Sequence, residues 1–261
     1  MAISYFITST GTGIGKTYVT SALIRLARSK NMRVAAYKPV ISGFDKGEIA
    51  GSDTGEILAA LGEAASDVAV ARVSPWRFKA PLAPNMASRA EGKTLDCEAL
   101  FAFSRHMLAQ DHIETSLRGA AGDQAIDLAA RRSPGGLLRS ARNDGGKNSA
   151  SPADLVLIEG VGGVMVPLDE KKTVLDWIVA CGVPVVLVVG DYLGTISHTL
   201  TAVEVLRARG VDIAAVVVSE SGESSVAFEV TRAEIAQWAA PIRVLAMRRG
   251  ANGSALAALI D

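Results

Sequence analysis

Net charge is absent from this chain: its 27 lysines and arginines are matched by 27 aspartates and glutamates. A neutral protein has no global field to draw it to nucleic acid or an anionic membrane, so any anion it binds must be gripped by a local site. Cysteine is nearly missing too. Cys97 and Cys181 stand far apart and outside any C-x-x-C or Cys/His spacing, which argues against a disulfide framework or a zinc site and leaves reduced thiols as the expectation. Long hydrophobic runs are also lacking. The longest uncharged one in the C-terminal half, residues 177–190, contains Gly182 and Pro184 and falls short of the roughly 20 residues a membrane helix needs. At the N-terminus no lysine or arginine precedes Lys16, and Gly11, Gly13 and Gly15 interrupt where a secretory signal would keep its apolar core. The expectation is a cytoplasmic protein with a small-molecule ligand and neither a nucleic-acid nor a membrane partner.

What is present is a large apolar fraction, 49% of 261 residues, enough to bury one substantial core. Runs rich in β-branched residues recur: "YFIT" near residue 5, "RVAAY" at 33, "LVLIEG" at 155, "PVVLVV" at 184 and "IAAVVV" at 213. Between most of them lie segments of helical period, residues 17–28 and 195–209 among them. In the second, Ile196, Leu200, Val203 and Leu206 recur at spacings of three and four, which predicts one buried face. Strands apolar throughout are what a parallel sheet covered on both faces requires. The fold class is therefore α/β: a doubly wound, mostly parallel sheet with helices on both faces, in one domain over residues 1–261. Residues 113–152 do not fit this pattern. They are rich in glycine, arginine and serine, hold no aromatic residue, and carry six basic against four acidic groups. They read as a long inserted surface loop between a helix ending near Gln110 and the strand at Leu155, with a short helix around residues 123–131. A basic nucleic-acid arm is the weaker reading, because the charge excess is small and no aromatics interleave for stacking.

The chemistry concentrates at "YFITSTGTGIGKTYVT", residues 5–20. A strand that ends in glycine-rich sequence and turns directly into a helix gathers backbone N–H groups and the positive end of the helix dipole around one point. That point suits a phosphate chain. Lys16 can reach the β- and γ-phosphates and the Thr17 hydroxyl can complete a Mg²⁺ shell, as the Gly-Lys-Thr close of a P-loop does. The loop itself, Gly13, Ile14, Gly15, Lys16, Thr17 and Tyr18, is the nucleotide-binding candidate. Mg²⁺ needs one or two carboxylates besides. Glu159 closes the apolar run "LVLIE" and is followed by Gly160, Val161 and Gly162; an unpaired carboxylate there would be costly in a core, and the carboxyl edge of a parallel sheet is where ligands bind. Asp53 in "GSDTGEIL" has two readings, a metal carboxylate or a helix cap shared with Ser52.

Taken in order, "TSTGTGIGKT", "YKPVISG", "SDTGEIL", "APLAPNMASRAEG", "LIEGVGGVMVPL" and "PVVLVVGDYLGTISHTLTAVEVLRARG" resemble the dethiobiotin synthetases. The likeness spans nearly all of the chain except the insertion and the last forty or so residues. It implies an ATP- and Mg²⁺-dependent ligase. Such enzymes form a carbamate from 7,8-diaminononanoate and CO₂, phosphorylate it from ATP, and close a cyclic urea with loss of phosphate. By matching position, Lys16 would hold ATP phosphates, Thr17, Asp53 and Glu159 would surround Mg²⁺, and Lys38 of "YKPV" would be a second catalytic lysine. Ser42 would be a substrate contact, Pro84 and Asn85 would start a helix facing the substrate carboxylate, and "GVGGVMVPL" would lie against the partner of a homodimer.

The sequence departs from that family at three points. Ser9 stands where the family's loop usually has glycine; Ser219 aligns with the asparagine that reads adenine, and a hydroxyl cannot make the bidentate pairing an amide offers; and "RVLAMRRG" lacks the proline expected there, which leaves the C-terminal nucleotide contacts unassigned. Two other readings stay open. One is a dimeric, nucleotide-switched positioning ATPase, whose loop would carry a lysine where Gly11 stands, and the other is a nucleotide-binding relative without catalysis.

Overall fold

The computed structural model describes residues 2–116, 152–222, 224 and 226–261. Its strands are β1 (Ile3–Ser9), β2 (Val34–Tyr37), β3 (Val40–Ile41), β4 (Trp76–Arg77), β5 (Leu155–Glu159), β6 (Val185–Val189), β7 (Ile213–Ser219) and β8 (Val244–Met247). Six of them form one sheet in the order β2-β5-β1-β6-β7-β8, parallel at every pairing, and β3 and β4 make a separate parallel pair. The five apolar runs picked out in the sequence all become strands of the large sheet. β5 and β6 are buried at every position, as continuous apolar runs covered on two faces must be. β8 lies at the sheet's edge and is only half-buried for most of its length, so its sequence gives a weaker strand signal.

Helices α1 (Lys16–Ser29), α2 (Asp53–Leu61) and α3 (Asp67–Val73) cover one face. There Val19, Leu23 and Ile24 of α1 and Ile57 and Leu58 of α2 pack on Ile7, Leu157, Val186 and Val217. The other face carries α4 (Pro84–Ala90), α5 (Cys97–Ser116), α6 (Val174–Cys181), α7 (Thr195–Ala208) and α8 (Phe228–Trp238). At its centre the Phe6 and Trp177 rings meet edge to face, with centroids 5.0 Å apart, an arrangement that adds about 1 kcal/mol beyond the area the rings bury. The Trp177 indole N–H is not left unsatisfied: it donates to Ser104 Oγ at 2.9 Å.

Two expectations need correction. The helix expected to end near Gln110 runs on to Ser116, because nothing in residues 111–116 is a helix breaker. The rest of the expected insertion, with its short helix, lies outside the described residues. In α7 the most buried positions are Thr195, Thr199, Ala202, Val203 and Leu206, while Ile196 and Leu200 are only half-buried. The buried stripe begins on two threonines because their hydroxyls are satisfied locally, Thr195 Oγ1 on Gly190 O and Thr199 Oγ1 on Thr195 O, each at 2.7 Å. Among the described residues no helix is long and apolar enough to cross a membrane.

Candidate active site

Strand register assembles the site before any side chain is considered. β1 lies between β5 and β6, and its Ile7 is level with Glu159 of β5. β2 flanks β5 on the other side with Tyr37 level with Ile158, so the next residue, Lys38, comes beside Glu159. The loop after β1 passes over the same edge, the carboxyl end of a parallel sheet where ligands bind.

That loop has the form of an anion cradle. Gly13 and Gly15 take φ of 73° and 94°, in the left-handed region that favours glycine, and Gly15 caps α1 without a side-chain hydrogen bond. Among the described residues, no acceptor takes the backbone N–H groups of Gly13, Ile14, Gly15, Lys16 or Thr17. Five donors at the positive end of a 14-residue helix converge on the space above the loop. Gly15 has a second reason to be glycine: a Cβ there would lie 2.5 Å from Ser219 Oγ.

Lys16 is almost fully buried and folds back over the loop, donating to Ser9 Oγ at 3.0 Å and to Gly11 O at 3.2 Å. Burial, reinforced by the positive charge of Lys38 and opposed by Glu159 and Asp53, lowers its pKa to about 8. Lys38 is buried as well but differently furnished. Its ammonium lies 2.7 Å from Glu159 Oε1, 2.9 Å from Asp53 Oδ2 and 2.9 Å from Gly160 O. Burial disfavours this ammonium too, but the two carboxylates outweigh it and raise the Lys38 pKa above that of a free lysine. Asp53 shows the converse: partial burial works to raise its pKa, and Lys38, helped by a hydrogen bond from Thr17, holds it below the ordinary value.

Thr17 Oγ1 donates to Glu159 Oε1 at 2.8 Å. The other oxygen of that fully buried carboxylate, Oε2, has no hydrogen-bond partner among the described residues. Thr17 Oγ1, the Asp53 carboxylate and Glu159 Oε2 are the hard oxygens of this cluster that could hold a cation. The two readings of Asp53 also separate here. Ser52 is the cap, its Oγ accepting the Gly55 N–H at 3.2 Å, and Asp53, first residue of α2, turns to Lys38.

A cleft of about 580 Å³ opens over this cluster, with Lys16, Thr17, Lys38, Ser42, Asp53 and Pro84 in its lining. Ser42 Oγ is buried there without a hydrogen-bond partner among the described residues. Val161 and Gly162 line it as well. Gly160 does not: its carbonyl takes Lys38, and a Cβ on it would meet the Phe6 ring at 2.9 Å, so this glycine serves close packing. Pro84 and Asn85 do start α4, as expected, but only Pro84 borders the cleft, and the Asn85 side chain lies elsewhere. It faces a neighbouring groove with Ser88, Arg89 and Lys93, because successive helix residues diverge by about 100° and Pro84 already takes the cleft side.

Sequence reasoning missed two contributors. Ser9 marks a departure from the family loop, yet its hydroxyl is the acceptor that Lys16 uses. The C-terminal segment also reaches the site, where Tyr18 donates to Arg248 O at 3.0 Å and Arg249 lines the hollow beside the loop. No local pattern in "MRRG" signals this, since the contact spans 230 residues.

Comparison with known proteins agrees with this geometry. A family model described as an AAA domain matches residues 4–122 and 123–247. The chain is 42% identical over 229 residues to the ATP-dependent dethiobiotin synthetase BioD of Acidiphilium cryptum (strain JF-5), a match covering 87% of this chain and 84% of that one. It is 45% identical over 216 residues to the protein of the same name from Caulobacter sp. (strain K31), covering 83% and 75%. The match to the one from Methylobacterium nodulans (strain LMG 21967 / CNCM I-2342 / ORS 2060) is 39% over 248 residues, covering 94% and 92%.

Proposed function

The chain belongs to the ATP-dependent dethiobiotin synthetase family, and on that ground we infer that it closes the ureido ring of dethiobiotin from 7,8-diaminononanoate and CO₂ with ATP as phosphoryl donor. It is a ligase of the P-loop type. The observation that carries the assignment to this cleft is the joining of Lys38, Asp53, Glu159 and Thr17 in one hydrogen-bonded cluster beneath the anion cradle.

The chemistry explains why these residue types are needed. A carbamate oxygen attacking a γ-phosphoryl group brings one anion to another, so the barrier is mainly electrostatic repulsion and the charge that spreads in transit. Loop N–H groups and Lys16 hold the phosphates from the β1 side. Lys38, kept protonated by its two carboxylates, supplies the second cation from the β2 side, where Ser42 and Pro84 bound the space for the diamine. Thr17, Asp53 and Glu159 would hold Mg²⁺: all three offer hard oxygens, and Glu159 Oε2 is buried with no hydrogen-bond partner among the described residues. When bound, that ion neutralises phosphate charge and aligns the transferring group. The first turn of α4 borders the cleft through Pro84 and is our candidate for the substrate carboxylate, with Asn85 in a supporting place rather than in contact.

A homodimer fits the apolar residues that break the surface in "GVMVP": Met165 is 55% exposed, Pro167 is exposed and Val166 half-buried, beside Val205 of α7, whereas Val164 is buried in the core; sedimentation of the purified protein tests this. Two free, buried thiols, Cys97 and Cys181, suit a reducing cytoplasm. The positioning-ATPase reading is not favoured, since Gly11 stands where its extra lysine is required. The direct test supplies the protein with diaminononanoate, bicarbonate, Mg²⁺ and ATP and looks for dethiobiotin by mass spectrometry. ATP hydrolysis without that product would overturn the assignment.

A further inference from the structure

The phosphate loop has a second hollow on its far side. It holds about 390 Å³, shares Gly13, Gly15 and Tyr18 with the main cleft, and is closed by Glu220, Gly222 and Arg249. A nucleotide whose phosphates lie on the loop has this hollow within reach of its base. Ser219 also lines the hollow but offers a single hydroxyl, which cannot pair bidentately with that base. It is 5% exposed, and its hydroxyl sits against Gly15, 2.5 Å from where a Cβ would be.

Recognition passes to the next residue and to the loop after β8. The Glu220 carboxylate accepts the Arg249 N–H at 2.9 Å through Oε2, and Oε1 lies 3.5 Å from the Arg248 guanidinium. Both oxygens keep a lone pair free, since a carboxylate offers about four acceptor positions. Arg249 reaches back so that Nε donates to Glu220 O at 3.4 Å, while its terminal nitrogens lie over Gly222 with no partner among the described residues. The opposite wall is held still by Asp191, which accepts the Ser221 N–H at 2.7 Å. The hollow therefore presents an acceptor pair next to a donor fork.

Guanine offers the complement: N1–H and N2–H₂ donate, O6 and N7 accept, and guanidinium on O6/N7 is the commonest specific pairing. Adenine offers a donor at N6 where the guanidinium also donates, and an acceptor at N1 where the carboxylate also accepts. Both side chains border solvent, so bridging water can admit adenine. We propose that Glu220 and Arg249 form a base-selecting pair that takes guanine about as readily as adenine, so that GTP serves beside ATP as phosphoryl donor. This rests on the P-loop ligase reading. The transfer itself is unchanged: the bond from the γ-phosphorus to the β–γ bridging oxygen breaks, the bond to the carbamate oxygen forms, and GDP leaves.

Calorimetric titration of the full chain with MgADP and with MgGDP tests the pair without depending on turnover. In the unmodified protein the Kd for GDP is expected at no more than about threefold that for ADP. Glu220→Gln, which replaces one acceptor by a donor at nearly constant shape, should raise the GDP value about tenfold more than the ADP value. A GDP Kd further above that of ADP, equal effects of Glu220→Gln on both nucleotides, or binding of neither would overturn the proposal. Dethiobiotin formation from ATP judges the ligase reading separately: it can succeed while GDP fails, and only the base inference then falls.

Discussion

Lys38 and Glu159 meet at 2.7 Å with side chains 3% and 0% exposed, each the nearest counter-charge of the other. Breaking a buried pair from one side leaves an uncompensated charge and costs about 3–5 kcal/mol, more than the pair itself contributes. Lys38→Met should therefore lower the melting temperature of the nucleotide-free protein. It should also reduce kcat for dethiobiotin at least about a hundredfold, because the cation facing the attacking oxygen is gone. Nucleotide binding should survive, since the loop N–H groups and Lys16 are untouched. Thermal melts, steady-state kinetics and an ADP titration on one variant check all three. Unchanged kcat would remove Lys38 from the chemistry.

Lys16 makes the opposite prediction for stability. Its pKa is about 8 in the folded protein, chiefly through burial, against roughly 10.4 for a free lysine. Below pH 8 the folded state must keep a charge that it holds poorly, at a cost of about 3 kcal/mol relative to the unfolded chain. Between pH 8 and roughly 10.4 the unfolded chain binds the extra proton, so stability rises with pH. In chelator-treated, nucleotide-free protein, Lys16→Met should thus melt higher than the unmodified chain at pH 7, and the gap should close by pH 10. The same variant should lose most of the stabilisation that nucleotide gives. A Lys16→Met protein less stable at pH 7 than the unmodified one would show that Ser9 and Gly11 already compensate the charge.

Much of this arrangement was legible because burial constrains sequence hard. β5 and β6 are covered on both faces and so read as unbroken apolar runs, and Glu159 stood out because a carboxylate after four buried apolar residues demands a partner. The partners were harder to see. Lys38 reaches Glu159 through strand register, which has no local pattern, and its place comes from resemblance to a family; Asp53 stands out at a helix start but with two readings. Ser52 and Asp53 are both acceptable caps in sequence; the extended backbone at Ser52, its hydrogen bond from Gly55 N–H and the turn of Asp53 to Lys38 separate them. Arg249 was invisible for a different reason: it joins the site through the packing of β8 beside β7, and an edge strand half in solvent carries little periodic signal.

Thr17 and Glu159 give a metal prediction. The Thr17 hydroxyl donates to Glu159 Oε1 and so orients the carboxylate whose other oxygen is unpaired. Thr17→Ala should raise the Mg²⁺ concentration needed for half-maximal activity about tenfold or more, the usual penalty for losing an oriented ligand or its support. Thr17→Ser keeps the hydroxyl and should restore it. A Mg²⁺ titration at fixed ATP is the measurement, and identical curves for the alanine variant and the unmodified chain would refute a role for this residue at the ion.

Gly15 concentrates two demands on one residue, and they separate experimentally. Its φ of 94° strains any residue with a Cβ, and that Cβ would also press on Ser219 Oγ at 2.5 Å. The backbone cost alone is about 1–2 kcal/mol, and the steric one adds to it because the buried Ser219 hydroxyl has to move aside. Gly15→Ala should therefore destabilise the chain by more than 1 kcal/mol in urea unfolding and weaken nucleotide binding by shifting the loop N–H groups off their common focus. Adding Ser219→Gly removes the clash and leaves the strain. The double variant should thus recover part of the loss in stability and in affinity but not all of it, a coupling that a double-mutant cycle reads directly. Complete recovery would mean that the left-handed backbone at residue 15 carries no strain in this loop; none would mean that contact with Ser219 is irrelevant.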